Sequence, residues 1–198
     1  MHIGGMQKLT LLDYPGKVAC TVFLSGCNLR CPYCHNPGLM LPDPSNAPGM
    51  PEAEVVSFLE QRKGKLDTNG TNPGMPNRLL RDGVLDYVAM DIKNSPSRYA
   101  ETCGGVDVLS ELRGSFDLLL DGPTDYEFRT TVCEPLHTEK EMEEIGRWLR
   151  GAKRYFLQTF VDTGDLVSGG VQAHTQDELT RLRQAVPSYI QSTQLRGI

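Results

Sequence analysis

Val18-Ala19-Cys20-Thr21-Val22-Phe23-Leu24-Ser25-Gly26-Cys27-Asn28-Leu29-Arg30-Cys31-Pro32-Tyr33-Cys34-His35-Asn36-Pro37 is the stretch that decides how this chain is read. Its first seven residues carry no charge and read as a buried strand. The loop that follows holds Cys27, Cys31 and Cys34 in the spacing C-x3-C-x2-C, three thiolates within eight residues. A four-iron cubane asks for four ligands, so three cysteines leave one iron open to a small molecule. A reactive loop at the end of a buried strand is where a barrel-like α/β enzyme places its chemistry.

Other sites use parts of the same run. Cys31-Pro32-Tyr33-Cys34 alone is a dithiol redox pattern, in which a helix N-terminus lowers the thiol pKa. Cys31 to His35 also fits C-x-x-C-H, the haem c attachment pattern. Cys27, Cys31, Cys34 and His35 would close a zinc site only if adjacent Cys34 and His35 reached one tetrahedral ion. The dithiol reading leaves Cys27 idle, and haem attachment calls for export. Spacing alone ranks the iron–sulfur reading first and leaves the others open.

Working outward, strand-like and helix-like runs alternate. Asp13-Tyr14-Pro15-Gly16 reads as a turn, and the prolines at 37, 42, 44, 48 and 51 read as a loop. Glu52–Arg62, Val106–Leu120, Thr138–Leu149 and Gln176–Ala185 are predicted helices; Thr138 with Glu141 forms a capping-box pattern. Lys65–Gly70 reads as a short strand end and a turn, and Asp86–Lys93, Tyr126–Val132 and Arg154–Phe160 are predicted strands. This alternation implies a parallel sheet with crossover helices in a single domain, 1–198, with residues 175–186 as a helical cap. One step breaks the rhythm: the helix ending near Gly64 meets Lys65-Leu66-Asp67 with almost no apolar strand between them.

Composition narrows the class. Twenty basic and 25 acidic side chains give a net charge of −5, without the basic stripe of a nucleic-acid footprint. No apolar run is long enough to span a bilayer, and residues 1–8 lack the core of a secretory signal. Six cysteines under those conditions suggest a reducing, cytoplasmic setting, where thiols serve metals or catalysis. Cys20 and Cys133 read as packed thiols, and Cys103, beside Gly104-Gly105, is the one left open to a role.

Gly26-Cys27, Cys31-Pro32-Tyr33-Cys34 and His35-Asn36-Pro37 resemble the cluster loop of radical S-adenosylmethionine enzymes. Within that family the chain is most similar to the activating proteins of anaerobic ribonucleoside-triphosphate reductase. The likeness extends to Gln7-Lys8, Leu12–Lys17, Lys65–Gly70, Asp86–Lys93, Tyr126–Val132, Leu136-His137-Thr138 and Ala152–Gln158, about residues 3–162. It implies a partial parallel (β/α) barrel and a [4Fe–4S] cluster on Cys27, Cys31 and Cys34. It further implies reductive cleavage of S-adenosylmethionine to a 5′-deoxyadenosyl radical, which takes a hydrogen from a glycine of the partner reductase. An electron donor such as flavodoxin or ferredoxin is implied too, and neither nucleic acid nor membrane.

The resemblance assigns cofactor contacts to Tyr33, Asp67, Asn69, Asp91, Lys93 and Arg129. Asp91 and Lys93 flank Ile92 and so share a strand face, suited to ribose hydroxyls and a carboxylate; a plain salt link is their alternative. Asp67 and Asn69 stand at another strand end, with an Asx-turn as the competing role. Arg129 would clamp a carboxylate in two places. Tyr33 would lie near adenine, and His35 would support the cluster from behind. His137 and His174 have no evident partner, and Trp148 reads as packing. One feature of the family is missing: none of the Gly-Gly pairs at 4–5, 104–105 and 169–170 is followed by Glu. The expected Gly-Gly-Glu strand belongs where the rhythm breaks, so about one strand–helix unit, roughly 30 residues or more, is expected to be absent. A catalytically impaired or non-catalytic [4Fe–4S] protein, or a radical enzyme with another peptide or protein target, are the alternatives.

Overall fold

The structure is a computed structural model that describes residues 3–10, 17–34, 36–40, 51–59, 64–162, 164 and 166–197. The turn expected at 13–16, most of the proline-rich loop, and His35 lie outside the described residues. β1 (Ile3–Thr10) and β2 (Ala19–Leu24) form an antiparallel pair. After the cysteine loop come α1 (Glu52–Leu59), β3 (Gly64–Thr68), α2 (Gly74–Arg81), β4 (Leu85–Asp91) and α3 (Tyr99–Thr102). Then follow α4 (Leu109–Asp121), β5 (Asp125–Val132), α5 (Glu139–Trp148), β6 (Arg154–Thr159), α6 (Gln176–Ala185) and β7 (Ser192–Arg196).

Strands β3 to β7 make one five-stranded parallel sheet in sequential order. Parallel strands need crossovers, and right-handed crossovers between sequential neighbours place every connecting helix on the same face. That face is apolar: Val88, Met90, Ile92, Phe128, Val132 and Leu157 are buried with Leu112, Met142, Ile145 and Leu149. Strand pleating sends the alternate residues the other way. Asp67 pairs with Ala89, Ala89 with Glu127, Asp91 with Arg129 and Arg129 with Phe156, so these residues share the opposite face. The sheet therefore has a greasy outer wall and a charged inner one. It is open, with β3 and β7 as its edges.

β2 does not join this sheet; it is hydrogen-bonded to β1 in a sheet of two strands. Its expected burial is not met: Val18 is 71% exposed, Leu24 43%, and Leu9 on the partner strand 65%. The uncharged run from Val18 to Leu24 has the composition of an interior strand, but among the described residues β1 alone pairs with it.

Three elements were not legible in the sequence. α2 carries Pro76 in its first turn, where proline is tolerated, and is short, with Leu79 and Leu80 set between Arg78 and Arg81. α3 is a single turn. β7 is a polar edge strand parallel to β6, and α6 is the helix between them. The capping boxes at Thr138 with Glu141 and Thr175 with Glu178 set the starts of α5 and α6.

Candidate functional site

The cysteine loop lies over the carboxyl ends of β3 and β4, and backbone contacts put it there. Gly26, at φ +96°, turns the chain out of β2, and its N–H donates to Leu39 O at 2.8 Å. The Arg30 N–H donates to Cys103 O at 3.1 Å, while its guanidinium donates to Cys27 O and Leu29 O, both at 2.8 Å. Gly104 (φ +80°) lies against Arg30, where an added Cβ would stand 2.6 Å from the Arg30 Cβ. The Tyr33 hydroxyl donates to Lys93 O at 2.9 Å and ties the loop to the end of β4. Asn69 Nδ2, just past β3, donates to Asn28 Oδ1 at 3.2 Å and points at Cys27 Sγ at 3.8 Å.

Among the described residues, Cys27, Cys31 and Cys34 are not a group whose donor atoms all converge within 4.8 Å. A single zinc ion, with Zn–S near 2.3 Å, wants sulfurs only about 3.8 Å apart. Thiolates spread along a loop suit a cluster, in which each iron takes its own cysteine. Three thiolates carried on one loop are a donor set that an iron–sulfur cluster can use. Cys103 was not assigned a place by the sequence; its sulfur is buried 4.0 Å from Cys31 Sγ. With Cys31 as the thiolate, the Cys103 S–H is the donor in that contact. This hydrogen bond, with Lys93 assisting, outweighs burial and draws Cys31 down to about 7. Cys103 is pushed up in return by that same bond and by burial.

Below the loop, the inner face carries a run of ion pairs. Burial pushes the Asp91 carboxyl up, but Lys93 and Arg129 together hold it below its ordinary value. Lys93 Nζ contacts Asp91 Oδ2 at 2.9 Å, and Arg129 Nε and Nη2 contact Oδ1 at 2.9 and 2.8 Å. Arg129 Nη1 reaches Asp67 on β3, which Lys65 also contacts at 3.1 Å. Asp67 remains 48% exposed, the most open of these groups. Arg196, on β7 two strands from β5, grips Glu127 of β5 with two nitrogens at 2.6 and 2.9 Å, and the Tyr87 hydroxyl donates to Glu127 Oε2 at 2.7 Å. Glu127 and Arg196 escaped the sequence reading; for Glu127 the available signal was a charge two residues before Arg129, on the same side of the predicted strand.

The predicted site residues thus divide. Asp67, Asp91, Lys93 and Arg129 come together in one charged cluster. Asn69 forms an Asx-type turn, its Oδ1 accepting from Thr71 N at 3.1 Å, and faces Cys27 as well. Tyr33 is 3% exposed and its ring packs edge-on to His137, so the ring belongs to the core. His137 does have partners. Its Nε2 stands 2.9 Å from Lys93 O, and Cys133 N–H donates to its Nδ1 at 3.1 Å. Only the neutral tautomer with the proton on Nε2 serves both bonds. Burial accordingly drives His137 down to about 4.

The chain is 27% identical to a protein of Methanocaldococcus jannaschii provisionally named a glycyl-radical enzyme activating enzyme, over 99% of this chain and 96% of the relative. A segment is 56% identical to 32 residues of the benzylsuccinate synthase activating enzyme of Thauera aromatica, covering 16% of this chain and 9% of that one. Its fold matches a domain of a pyruvate-formate lyase-activating enzyme from Bacteroides vulgatus, with a TM-score of 0.55 at 14% identity, across 73% of this chain and 91% of that domain. No family model matches the chain. The chain is related to glycyl-radical enzyme activating enzymes.

Proposed function

We propose, starting from that relationship, that the chain is a radical S-adenosylmethionine activase that installs a glycyl radical on a partner enzyme. The partner in this reading is anaerobic ribonucleoside-triphosphate reductase, with a flavodoxin or ferredoxin as electron donor. The observation that carries it is the three-cysteine loop held over a charged inner wall at the carboxyl ends of β3 and β4.

Cys27, Cys31 and Cys34 would hold a [4Fe–4S] cluster. When bound and reduced, that cluster supplies the electron that opens the sulfonium of S-adenosylmethionine to give a hydrogen-abstracting carbon radical. The chain's own residues would bind and orient. Lys93 and Arg129 already neutralise Asp91, so a ligand carboxylate would share these cations while a ligand ammonium or hydroxyl turns to Asp91 or Asp67. Asn69 would steady Cys27 through its amide. The Tyr33 hydroxyl bond to Lys93 O keeps loop and wall in register.

The reading includes a missing strand–helix unit between α1 and β3. Two observations support it. β2 and β3 belong to separate sheets, leaving the uncharged second strand half exposed. The match to the M. jannaschii protein runs over 233 aligned positions, at least 35 more than the chain contains, so gaps of that total fall along this chain. A βα step is about that size. Without the Gly-Gly-Glu strand, the anchor for the methionine amino group would be lost, and cluster binding should outlast cofactor cleavage. A non-catalytic cluster protein is the second reading, favoured by that same gap.

The test is anaerobic reconstitution followed by dithionite reduction with S-adenosylmethionine. Production of 5′-deoxyadenosine, and a glycyl radical on added reductase seen by electron paramagnetic resonance, would support the activase. A full cluster that neither changes spectrum with S-adenosylmethionine nor cleaves it would select the non-catalytic reading. An iron-free protein would defeat both.

A further inference from the structure

Away from the cysteine loop, a cleft of about 430 Å³ opens between the end of β5, the start of α5 and the start of α6. Glu134, His174 and Glu178 line it, and their ligand atoms all lie within 4.8 Å of one another. His174 carries the argument. Its side chain is 6% exposed, yet among the described residues neither ring nitrogen has a hydrogen-bond partner. A buried imidazole without a partner is costly and asks what it was placed to meet.

The distances answer. His174 Nδ1 stands 3.5 Å from Glu134 Oε1 and 3.9 Å from Glu178 Oε2. Both are too long for good hydrogen bonds. Ligands held about 2.0–2.2 Å from one tetrahedral ion sit roughly 3.3–3.6 Å apart, which the Glu134 contact meets and the Glu178 contact exceeds by a few tenths of an ångström.

We propose that Glu134, His174 and Glu178 bind a divalent first-row cation, with Zn²⁺ as the representative ion and water completing the shell. One neutral imidazole with two carboxylates is a hard-to-borderline donor set that suits such an ion.

The local frame is built to hold these residues. Glu134 and Gln172 exchange backbone hydrogen bonds at 2.9 and 3.1 Å, which pins the segment leading to His174 against the end of β5. The capping box fixes Glu178, whose Oε2 accepts from Thr175 N at 2.8 Å and Thr175 Oγ1 at 2.7 Å. The other charged neighbours are Glu139, Lys140 and Arg181. Arg181 is 3.8 Å from Glu178 and 3.6 Å from Glu139, so it balances the acids without filling the gap. His137 lines the cleft, but its nitrogens are spent on Lys93 and Cys133. The ion would clamp the α6–β7 unit onto the β5–α5 junction.

The experiment is Zn²⁺ titration of the iron-loaded protein against a chromophoric chelator, repeated on a variant with Cys27, Cys31 and Cys34 all replaced by Ala. One equivalent bound in both, together with a rise in melting temperature, is expected. His174→Ala, His174→Gln and Glu134→Gln should each weaken binding by at least about 100-fold, the upper end of what outer-shell changes alone cost, and leave iron content unchanged. Co²⁺ in place of Zn²⁺ should show visible bands without thiolate charge transfer. The proposal fails if neither protein takes up Zn²⁺, if both folded His174 variants bind it like the parent, or if Co²⁺ reports sulfur ligation. Because iron content and S-adenosylmethionine cleavage are read separately, this outcome is independent of the proposed activase function.

Discussion

Arg129 and Asp91 sit directly opposite one another on β5 and β4, and the guanidinium closes on one oxygen of the carboxylate at 2.8 Å while Lys93 takes the other. Two cations thus converge on one acid at the point where the cysteine loop crosses the sheet. Asp91→Asn would leave both of them underpaired. For a pair that keeps some solvent access the cost should be about 1–3 kcal/mol, less than for a fully buried break. The sign with pH is defined. A depressed carboxylate stabilises the fold above its unfolded pKa, near 4, and that contribution drains away as pH falls through the folded value. Urea midpoints measured from pH 7 down to pH 3 should fall less steeply in the variant.

His137 acts on a different pH window. Its folded pKa is about 4, below the ordinary value near 6.5. Between these values the unfolded chain takes up a proton that the folded one refuses, so stability drops on acidification from about pH 6.5 to about pH 4. The span corresponds to about 3 kcal/mol. His137→Asn should be less stable at pH 7, because Lys93 O and Cys133 N lose their partner, but should show a flatter profile across that window. An unchanged slope would mean that His137 titrates alike in the folded and unfolded chain, so that its burial costs nothing.

Gly104→Ala tests how the cysteine loop is seated. The position has φ +80°, and a new Cβ would press on Arg30 at 2.6 Å. Left-handed strain and overpacking together should cost about 2–4 kcal/mol. Because Arg30 also holds Cys27 O, the loop should shift, and iron retained after gel filtration should fall well below that of the parent.

Replacing Cys27, Cys31 or Cys34 singly by Ala should abolish the brown colour and most of the iron. Cys133→Ala, at a buried thiol in the apolar core, should retain it at some loss of stability. Iron and sulfide assays on anaerobically prepared variants check this. Iron content insensitive to all three loop cysteines would sink the cluster assignment.

How much of this was legible beforehand depended on whether the signal was local. Strands such as Tyr126–Val132 and helices such as Gln176–Ala185 are written in apolar spacing and capping residues, so their positions came through within a residue or so. β7 did not, because Ser192-Thr193-Gln194-Leu195-Arg196 is polar and becomes a strand only by pairing with β6. Val18–Leu24 misled in the opposite direction. Its composition is that of an interior strand, and burial requires neighbours that composition does not supply.

The amino-acid order alone gave the spacing of the three loop cysteines, the alternation that makes a parallel sheet, and the placing of Asp91 and Lys93 on one side of their strand, since spacing and strand period are properties of the chain itself. Tertiary structure decided which distant groups meet. Cys103 beside Cys31, Arg196 on Glu127, and His174 beside Glu134 are pairs separated by tens of residues. Only the packing of crossovers onto one sheet sets those distances, and charge and metal chemistry act over a few ångströms of space, not along the chain.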